Sequence, residues 1–387
     1  MDLRPRGLPR IGIVGGGQLA KMTAQAAHPL GCSVRVLERQ PEFPADLCDT
    51  DTVLGDWDDP AVLGVLATDV DVVTLENELV DAGALEAVAA RGALVLPSPA
   101  TMHVTQDKLL QKRRLAAAGL PVPAFRDAPT RAALDAAAAD LGLPVVVKRR
   151  RGGYDGRGNA TARDAAGLDR AWERLGADAR GLYVEVFVPF VAEAAAIVVR
   201  GRDGGVVSYP VVETVNADHV CREVVAPGRF DPALAARAAD VARAAVAAVD
   251  GVGAFGVEMF VGRDGEVLVN ELAPRVHNTG HYTIEGCTCS QFENHLRAVL
   301  GWPLGSTALR APAAAMVNLL GAGPGTGEPH GLARALAVEG AHVHVYGKTR
   351  SERGRKMGHV TALGATPEAA LATAREAAGR IRFGEAT

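Results

Sequence analysis

Phe255–Gly286, FGVEMFVGRDGEVLVNELAPRVHNTGHYTIEG, decides how this chain is read. Its first half holds two apolar, β-branched runs joined by Arg263-Asp264-Gly265-Glu266. Asp-Gly between such runs is the strongest short-range hairpin signal, and it predicts a hairpin with Asp264 and Gly265 as its two turn residues. That register sets Glu258 directly opposite Glu271. Opposed side chains in an antiparallel pair lie roughly 4.5–5.5 Å apart, and like charges there destabilise the sheet. Two carboxylates hold such a position when a cation lies between them. Mg²⁺ suits, because it takes oxygen ligands and leaves much of its shell to phosphates and water. Mn²⁺ accepts the same donors. Directly after Glu271 come Arg275, His277, Asn278, Thr279 and His281, a polar run with the look of a recognition loop. The bland alternative is an exposed hairpin with a solvated pair of acids.

A chain of 387 residues is too long for one ordinary core; at roughly 150 residues per domain, two or three are expected. With 48% apolar residues, burial is not limiting. A net charge of −4 argues against nucleic acid as a partner. No apolar run reaches the ~18 residues of a membrane span, and MDLRPRGLPR followed by IGIVGGG lacks the apolar core of a signal peptide. The five cysteines show no metal-binding spacing, so a reducing cytoplasm is expected. Of the 41 Lys and Arg residues only six are lysine: Lys21, Lys108, Lys112, Lys148, Lys348 and Lys356. Lysine is a compact charge on a flexible stem, so the settings of these six merit attention.

Near the start, Ile11–Val14 reads as a buried strand. It runs into Gly15-Gly16-Gly17-Gln18-Leu19-Ala20 and a helix, with Glu38 closing the next strand. This is the dinucleotide fingerprint, though its amides and helix N-terminus would serve any phosphate. A further strand ends in Glu76-Asn77-Glu78, where a doubly wound sheet binds ligands. A helix is expected over Thr105–Ala118, capped by Thr105 or Asp107, then a Pro-rich linker. The strand Pro144–Lys148 delivers a lysine into Arg149-Arg150-Arg151-Gly152-Gly153-Tyr154-Asp155-Gly156-Arg157-Gly158-Asn159, a loop suited to phosphate oxygens. Glu185-Val186-Phe187-Val188 could serve a purine through its backbone, and Glu193 a ribose. Toward the end, Lys348, Arg355 and Lys356 gather near glycines, as a solvated turn or as a grip on a phosphate monoester.

Taken together, GGGQLAKM, TLENE, RRRGGYDGRGN, FGVEMFV, VNELAPRVHNTGHYTIEGC and GRKMGHV resemble the ATP-grasp superfamily, and within it the 5-(carboxyamino)imidazole ribonucleotide synthetases. The resemblance runs from residue 11 to about 363. It implies an α/β and α+β chain: an ATP-grasp fold with an N-terminal doubly wound, Rossmann-like parallel-sheet domain (1–105), a central domain (106–310) with a mobile lid (about 120–188), and a small C-terminal α/β domain (311–387). It implies ATP and Mg²⁺ as cofactors, and aminoimidazole ribonucleotide and bicarbonate as substrates. It also implies a homodimer and delivery of product to a downstream mutase.

By the same resemblance ATP meets Lys108, Lys148, the loop Gly153, Tyr154, Asp155, Gly156, Arg157, Gly158 and Asn159, then Glu185, Val186, Phe187, Val188, Glu193, Asn216, Asn270 and Glu271. Glu258 and Glu271 hold the metal. Gly17, Gln18, Leu19, Glu76, Asn278, Lys348, Arg355 and Lys356 meet the nucleotide substrate, its phosphate falling on the glycine-rich turn. Tyr154, Asp155, Arg157, Arg275 and His277 stand at the reacting groups. The chain departs from the family at Asn216, Val276 and Ala20, where His, Pro and Gly are usual. Three other readings compete. An NAD oxidoreductase leaves the Lys148 loop and the Glu258/Glu271 pair without a task. A relative of biotin carboxylase or of the formate-dependent transformylase would lack TLENE and GHYTIEGC. A non-catalytic nucleotide binder would not need the acid pair.

Overall fold

The hairpin that anchors the reading sits at the edge of the largest sheet. A computed structural model describes residues 7–153, 158–176 and 181–384. Four parallel strands open the chain, in the order Asp51–Leu54, Ser33–Glu38, Arg10–Val14, Val72–Leu75. The strand Arg10–Val14 is buried along its whole length, the usual condition of a parallel strand flanked by others. Among the described residues one parallel bridge, Val73 to Val95, extends this sheet beyond Val72–Leu75.

A nine-stranded antiparallel sheet follows. Its order is Val267–Ala273, Gly253–Val261, Ala192–Arg200, Val212–Ala217, Val220–Ala226, Ala313–Leu320, Lys356–Gly364, Ala341–Val345, with Val206–Ser208 also on Ala192–Arg200. The C-terminal strands thus extend the central sheet through the pairing of Val220–Ala226 with Ala313–Leu320. The helix Pro232–Ala248 covers one face, burying Ala238, Ala242, Ala245 and Val246. That i, i+4, i+7, i+8 spacing is a single stripe, and its small side chains let helix and sheet approach closely. A third sheet is the lid: Phe125–Asp127, Leu182–Val186, Val145–Arg149, Asn159–Ala162.

The hairpin differs from expectation in two compensating ways. Val261 pairs with Val267 and Gly262 N–H donates to Glu266 O, so the loop has three residues, Arg263, Asp264 and Gly265, the last at φ 79°. A left-handed glycine closing a three-residue loop is a common hairpin turn. Continued without interruption, that register would face Glu258 with Asn270. Instead the register shifts between Glu258 and Met259, and Glu271 becomes the partner of Glu258. Asn270 is the extra residue of a β-bulge, which re-aims side chains locally.

The helix expected from Thr105 is two helices, Pro99–Gln106 and Lys108–Ala117. Asp107 separates them: it caps the second by accepting from Leu109 N and Leu110 N. The helix Gln291–Leu300, capped by Ser290, carries His295 to the junction of two sheets. There Ala254 N–H donates to His295 Nδ1 (3.0 Å), so Nε2 carries the proton and donates to Thr74 Oγ1 (2.8 Å). Burial lowers its pKa from 6.5 to about 4. A folded state that binds the proton less tightly than the unfolded one is stable above pH 6.5 and loses stability as pH falls toward 4. Between pH 7.5 and 5.0 the loss from this residue is roughly 2 kcal/mol. Thermal unfolding at the two pH values measures it; His295→Gln should flatten the dependence by that amount, and an unchanged slope refutes the assignment.

Candidate active site

A cleft of ≈ 1340 Å³ lies where the lid, the central sheet and the C-terminal strands meet. Its floor is the bulged strand. Because the bulge turns consecutive side chains toward the cleft, Asn270 and Glu271 both line it, with Glu258 facing them. Lys108 Nζ stands 2.5 Å from Glu271 Oε2, and Lys148 Nζ donates to Asn270 Oδ1 at 3.1 Å. Burial raises the Glu258 pKa, and the facing Glu271 raises it further. For Glu271 burial works the same way, but the Lys108 ammonium outweighs it and holds the pKa low. The pair is therefore electrostatically strained, as its spacing in sequence predicted.

His277 lies beside the pair, Nε2 at 3.7 Å from Glu258 Oε1. Burial, then the nearby Arg275 and Lys356, lower its pKa to about 3, so the contact is between a neutral imidazole and a carboxylate. Gly256 makes room for it: a Cβ there would lie 2.5 Å from His277 Cγ. Arg275 grips Glu78 with two contacts, Nε to Oε2 at 2.5 Å and Nη2 to Oε1 at 3.0 Å. Burial would raise the Glu78 pKa, but Arg275 outweighs it. Glu78 was one of three polar residues singled out at that strand end, yet its partner is 197 positions away and nothing local announces it.

The lid contributes Lys148, Gly153 and Asn159 to the cleft, and its hinge Val186, Phe187 and Val188. Two hinge amides are already engaged, Val186 N with Ala124 O and Phe187 N with Pro144 O. The Glu185 carboxylate is buried against Lys112 and Lys148. Gly158, at φ 112°, accepts from Arg149 N and closes the base of the loop. Tyr154, Asp155, Gly156 and Arg157 lie outside the described residues. On the opposite wall Asn216 Nδ2 donates to Glu193 Oε2 at 2.8 Å, and burial keeps the Glu193 pKa raised despite that bond.

The glycine-rich turn corrects one expectation. Gly16 N donates to Glu38 Oε2 at 2.8 Å, and Ala20 N to Glu76 Oε2 at 3.3 Å. Glu76 crowds the turn so closely that a Cβ on Gly15 (φ 93°) would lie 2.5 Å from its Cγ, and one on Gly17 2.5 Å from its Oε1. Two carboxylates accept from the amides of this turn, so those amides are engaged while Glu38 and Glu76 stay in place. The turn delivers Gln18 and Leu19 to the cleft, and the neighbouring strand end delivers Glu76. Asn278 lines the cleft too, its amide held in a reciprocal pair with Asn318 (2.9 and 2.8 Å). Lys348, Arg355 and Lys356 also line the cleft, and Lys348 Nζ donates to Lys356 O at 2.8 Å.

Among the described residues no group of three or more His, Cys, Asp or Glu is arranged to hold a metal. Two carboxylates and an amide oxygen are hard donors. They fit a Mg²⁺ or Mn²⁺ ion that keeps phosphates and water as its other ligands. No described helix is long and apolar enough to cross a membrane.

A lid sheet closing on an antiparallel sheet, with a strand-borne lysine on one side and paired carboxylates on the other, defines an ATP-grasp enzyme. The family models agree: a ribonucleotide synthetase preATP-grasp domain matches residues 8–106, an ATP-grasp domain 113–292, and a phosphoribosylaminoimidazole carboxylase C-terminal domain 314–373. The chain is 43% identical over 352 residues to the N5-carboxyaminoimidazole ribonucleotide synthase of Synechococcus elongatus, covering 91% of this chain and 88% of that one. It is 42% identical to the phosphoribosylaminoimidazole carboxylase of Schizosaccharomyces pombe over 92% of its own length, but spans only 65% of that longer protein. A crystal structure of N5-carboxyaminoimidazole synthase from Aspergillus clavatus, in complex with ADP and 5-aminoimidazole ribonucleotide, superposes with a TM-score of 0.87 at 36% identity, covering 96% of this chain and 98% of that one. The chain belongs to the N5-carboxyaminoimidazole ribonucleotide synthetase family.

Proposed function

We infer that the protein carboxylates the exocyclic amine of 5-aminoimidazole ribonucleotide with bicarbonate, driven by cleavage of ATP to ADP and phosphate, as a step of purine biosynthesis. The observation that carries this reading is the bulged strand, which gathers Glu258, Asn270 and Glu271 in one cleft with Lys108 and Lys148, within reach of Arg275 and the C-terminal cations. ATP phosphorylates bicarbonate to carboxyphosphate, which, or the CO₂ it releases, meets the amine. Phosphoryl transfer of this kind needs positioning and charge neutralisation more than covalent help. Lys148 and Lys108 supply fixed positive charge at the phosphates, Val186–Val188 contact the purine and Glu193 with Asn216 the ribose. A divalent ion bound by Glu258 and Glu271 would neutralise charge on the transferring group.

Carboxyphosphate is labile in water, so exclusion of solvent is part of the chemistry. The Gly152–Gly158 loop is the natural cover, with Tyr154, Asp155 and Arg157 brought to the reacting groups. Arg275, held flat by Glu78, presents a delocalised cation to bicarbonate. His277, neutral at physiological pH, adds no charge that would compete for anions. Glu76 and Gln18 meet the ribonucleotide, and Lys348, Arg355 and Lys356 its phosphate. The division at 105/106 and 310/311, a cytoplasmic homodimer and hand-over of product to a mutase belong to the same proposal.

The test is phosphate release from ATP with Mg²⁺ and bicarbonate, with and without aminoimidazole ribonucleotide. Stimulation by the ribonucleotide, with consumption of its amine, is the expected result; indifference to it overturns the reading.

A further inference from the structure

Lys112 has no part in the scheme above, yet it is among the most deeply buried side chains, 1% exposed. It lies one helical turn beyond Lys108, so both ammoniums leave the helix on one face. That helix is fastened to the bulged strand by its side chains. Gln111 Nε2 donates to Leu272 O and accepts from Leu272 N through Oε1, while Lys112 Nζ donates to Val269 O at 2.9 Å, next to the bulge. Lys112 Nζ also stands 3.1 Å from Glu185 Oε1, and Tyr183 Oη donates to that same oxygen. The other oxygen, Oε2, faces Lys148 Nζ at 2.7 Å.

The cluster therefore holds two ammoniums and one carboxylate, each at most 8% exposed. Burial would raise the Glu185 pKa, but Lys112 and Lys148 outweigh it and hold it at about 2. A lone Glu185–Lys148 pair would be neutral, and a neutralised lysine is a poor partner for a polyphosphate. With Lys112 as a second counter-charge, the cluster keeps a net positive charge whose only outlet is Lys148, at the wall of the cleft. Buried ion clusters contribute little to stability compared with apolar residues of the same volume, so stability alone is a weak reason for a lysine here.

We propose that Lys112 is a positioning residue for the nucleotide: it neutralises Glu185 and so leaves the charge of Lys148 available to the phosphates of ATP. The proposal rests on the ATP reading above, and its test separates the two. Wild-type protein must release phosphate in response to the ribonucleotide; failure there sinks the functional reading, whatever Lys112 does. Given that activity, Lys112→Met is expected to raise the KM for ATP roughly 10–100-fold, the scale of a misplaced or muted binding group, with the KM for the ribonucleotide unchanged.

Charge rescue distinguishes this role from simple packing. In Lys112→Met/Glu185→Gln the carboxylate paired directly with Lys148 is gone, and the KM for ATP should return to within ~3-fold of wild type, about 0.65 kcal/mol. Equilibrium titration of each variant with ATP provides the same comparison without turnover. An unchanged KM in Lys112→Met overturns the proposal. So does a raised KM that the double variant fails to recover, or a loss spread equally over both substrates. If Lys112→Met alone does not fold, the double variant, freed of its uncompensated buried carboxylate, carries the test against the wild type on the same terms.

Discussion

Glu271→Gln should abolish turnover while leaving the protein folded. The two halves of that result have one cause. Glu271 faces Glu258 across the hairpin, and their repulsion, added to burial, is visible in the raised Glu258 pKa. Replacing one carboxylate with an amide of the same shape removes the repulsion. The Lys108 ammonium, 2.5 Å from Glu271, keeps Glu258 and Glu78 as neighbouring counter-charges. The amide also loses the Lys108 pairing that holds the Glu271 pKa low, so thermal unfolding should give a modestly lower midpoint for a protein that is still folded. Removing one of the two carboxylates proposed to hold the divalent ion would forfeit several kcal/mol of stabilisation of the transferring group. At 1.36 kcal/mol per decade, kcat should fall by roughly 10³-fold or more. Circular dichroism and a phosphate-release assay on one sample check both halves. A melted spectrum would mean that the acid is structural, and near-normal turnover would mean that it holds no metal.

That pair was legible in the sequence for a reason only half right. A two-residue turn at Asp264-Gly265 sets Glu258 opposite Glu271. The true turn has three residues, which would displace the register by one, and the bulge at Asn270 restores it. Asp-Gly suits either turn, because both need a left-handed glycine. A bulge has no reliable local signature, since it is fixed by the strands on either side. Alternation alone would send Asn270 and Glu271 to opposite faces, and so misses why both reach the cleft. Lys148 and the hinge were legible because a strand ending in lysine before a glycine-rich loop is a local pattern. The Arg275–Glu78 clamp and the Lys112–Glu185 pair were not, since they join residues from different sheets and helices. Lys112 was visible only as one of six lysines in an arginine-rich chain.

The place of the substrate's phosphate is the sharpest disagreement between sequence and structure, and Arg355→Ala/Lys356→Ala should decide it. A glycine-rich turn at a helix N-terminus attracts phosphate through its amides and the helix dipole. Here Glu38 and Glu76 already take Gly16 N and Ala20 N. A phosphate placed on top of them would meet two negative charges. The Glu76 pKa is raised by burial, which its own amide bonds only partly offset, so this corner is already short of positive charge. Another part of the cleft wall has the reverse balance, with Lys348, Arg355 and Lys356 on it. Lys356 lowers the His277 pKa, so its field reaches the reacting groups. Hydrogen bonds to charged groups are worth roughly 1.5–3 kcal/mol each, so losing two should raise the KM for aminoimidazole ribonucleotide by about 10²-fold or more. The KM for ATP should not move. The dephosphorylated nucleoside, which lacks the group these side chains are proposed to bind, should react equally poorly with wild type and variant. If the variant handles the ribonucleotide normally, the phosphate sits elsewhere. The glycine-rich turn would then have to release Glu76 before substrate could enter.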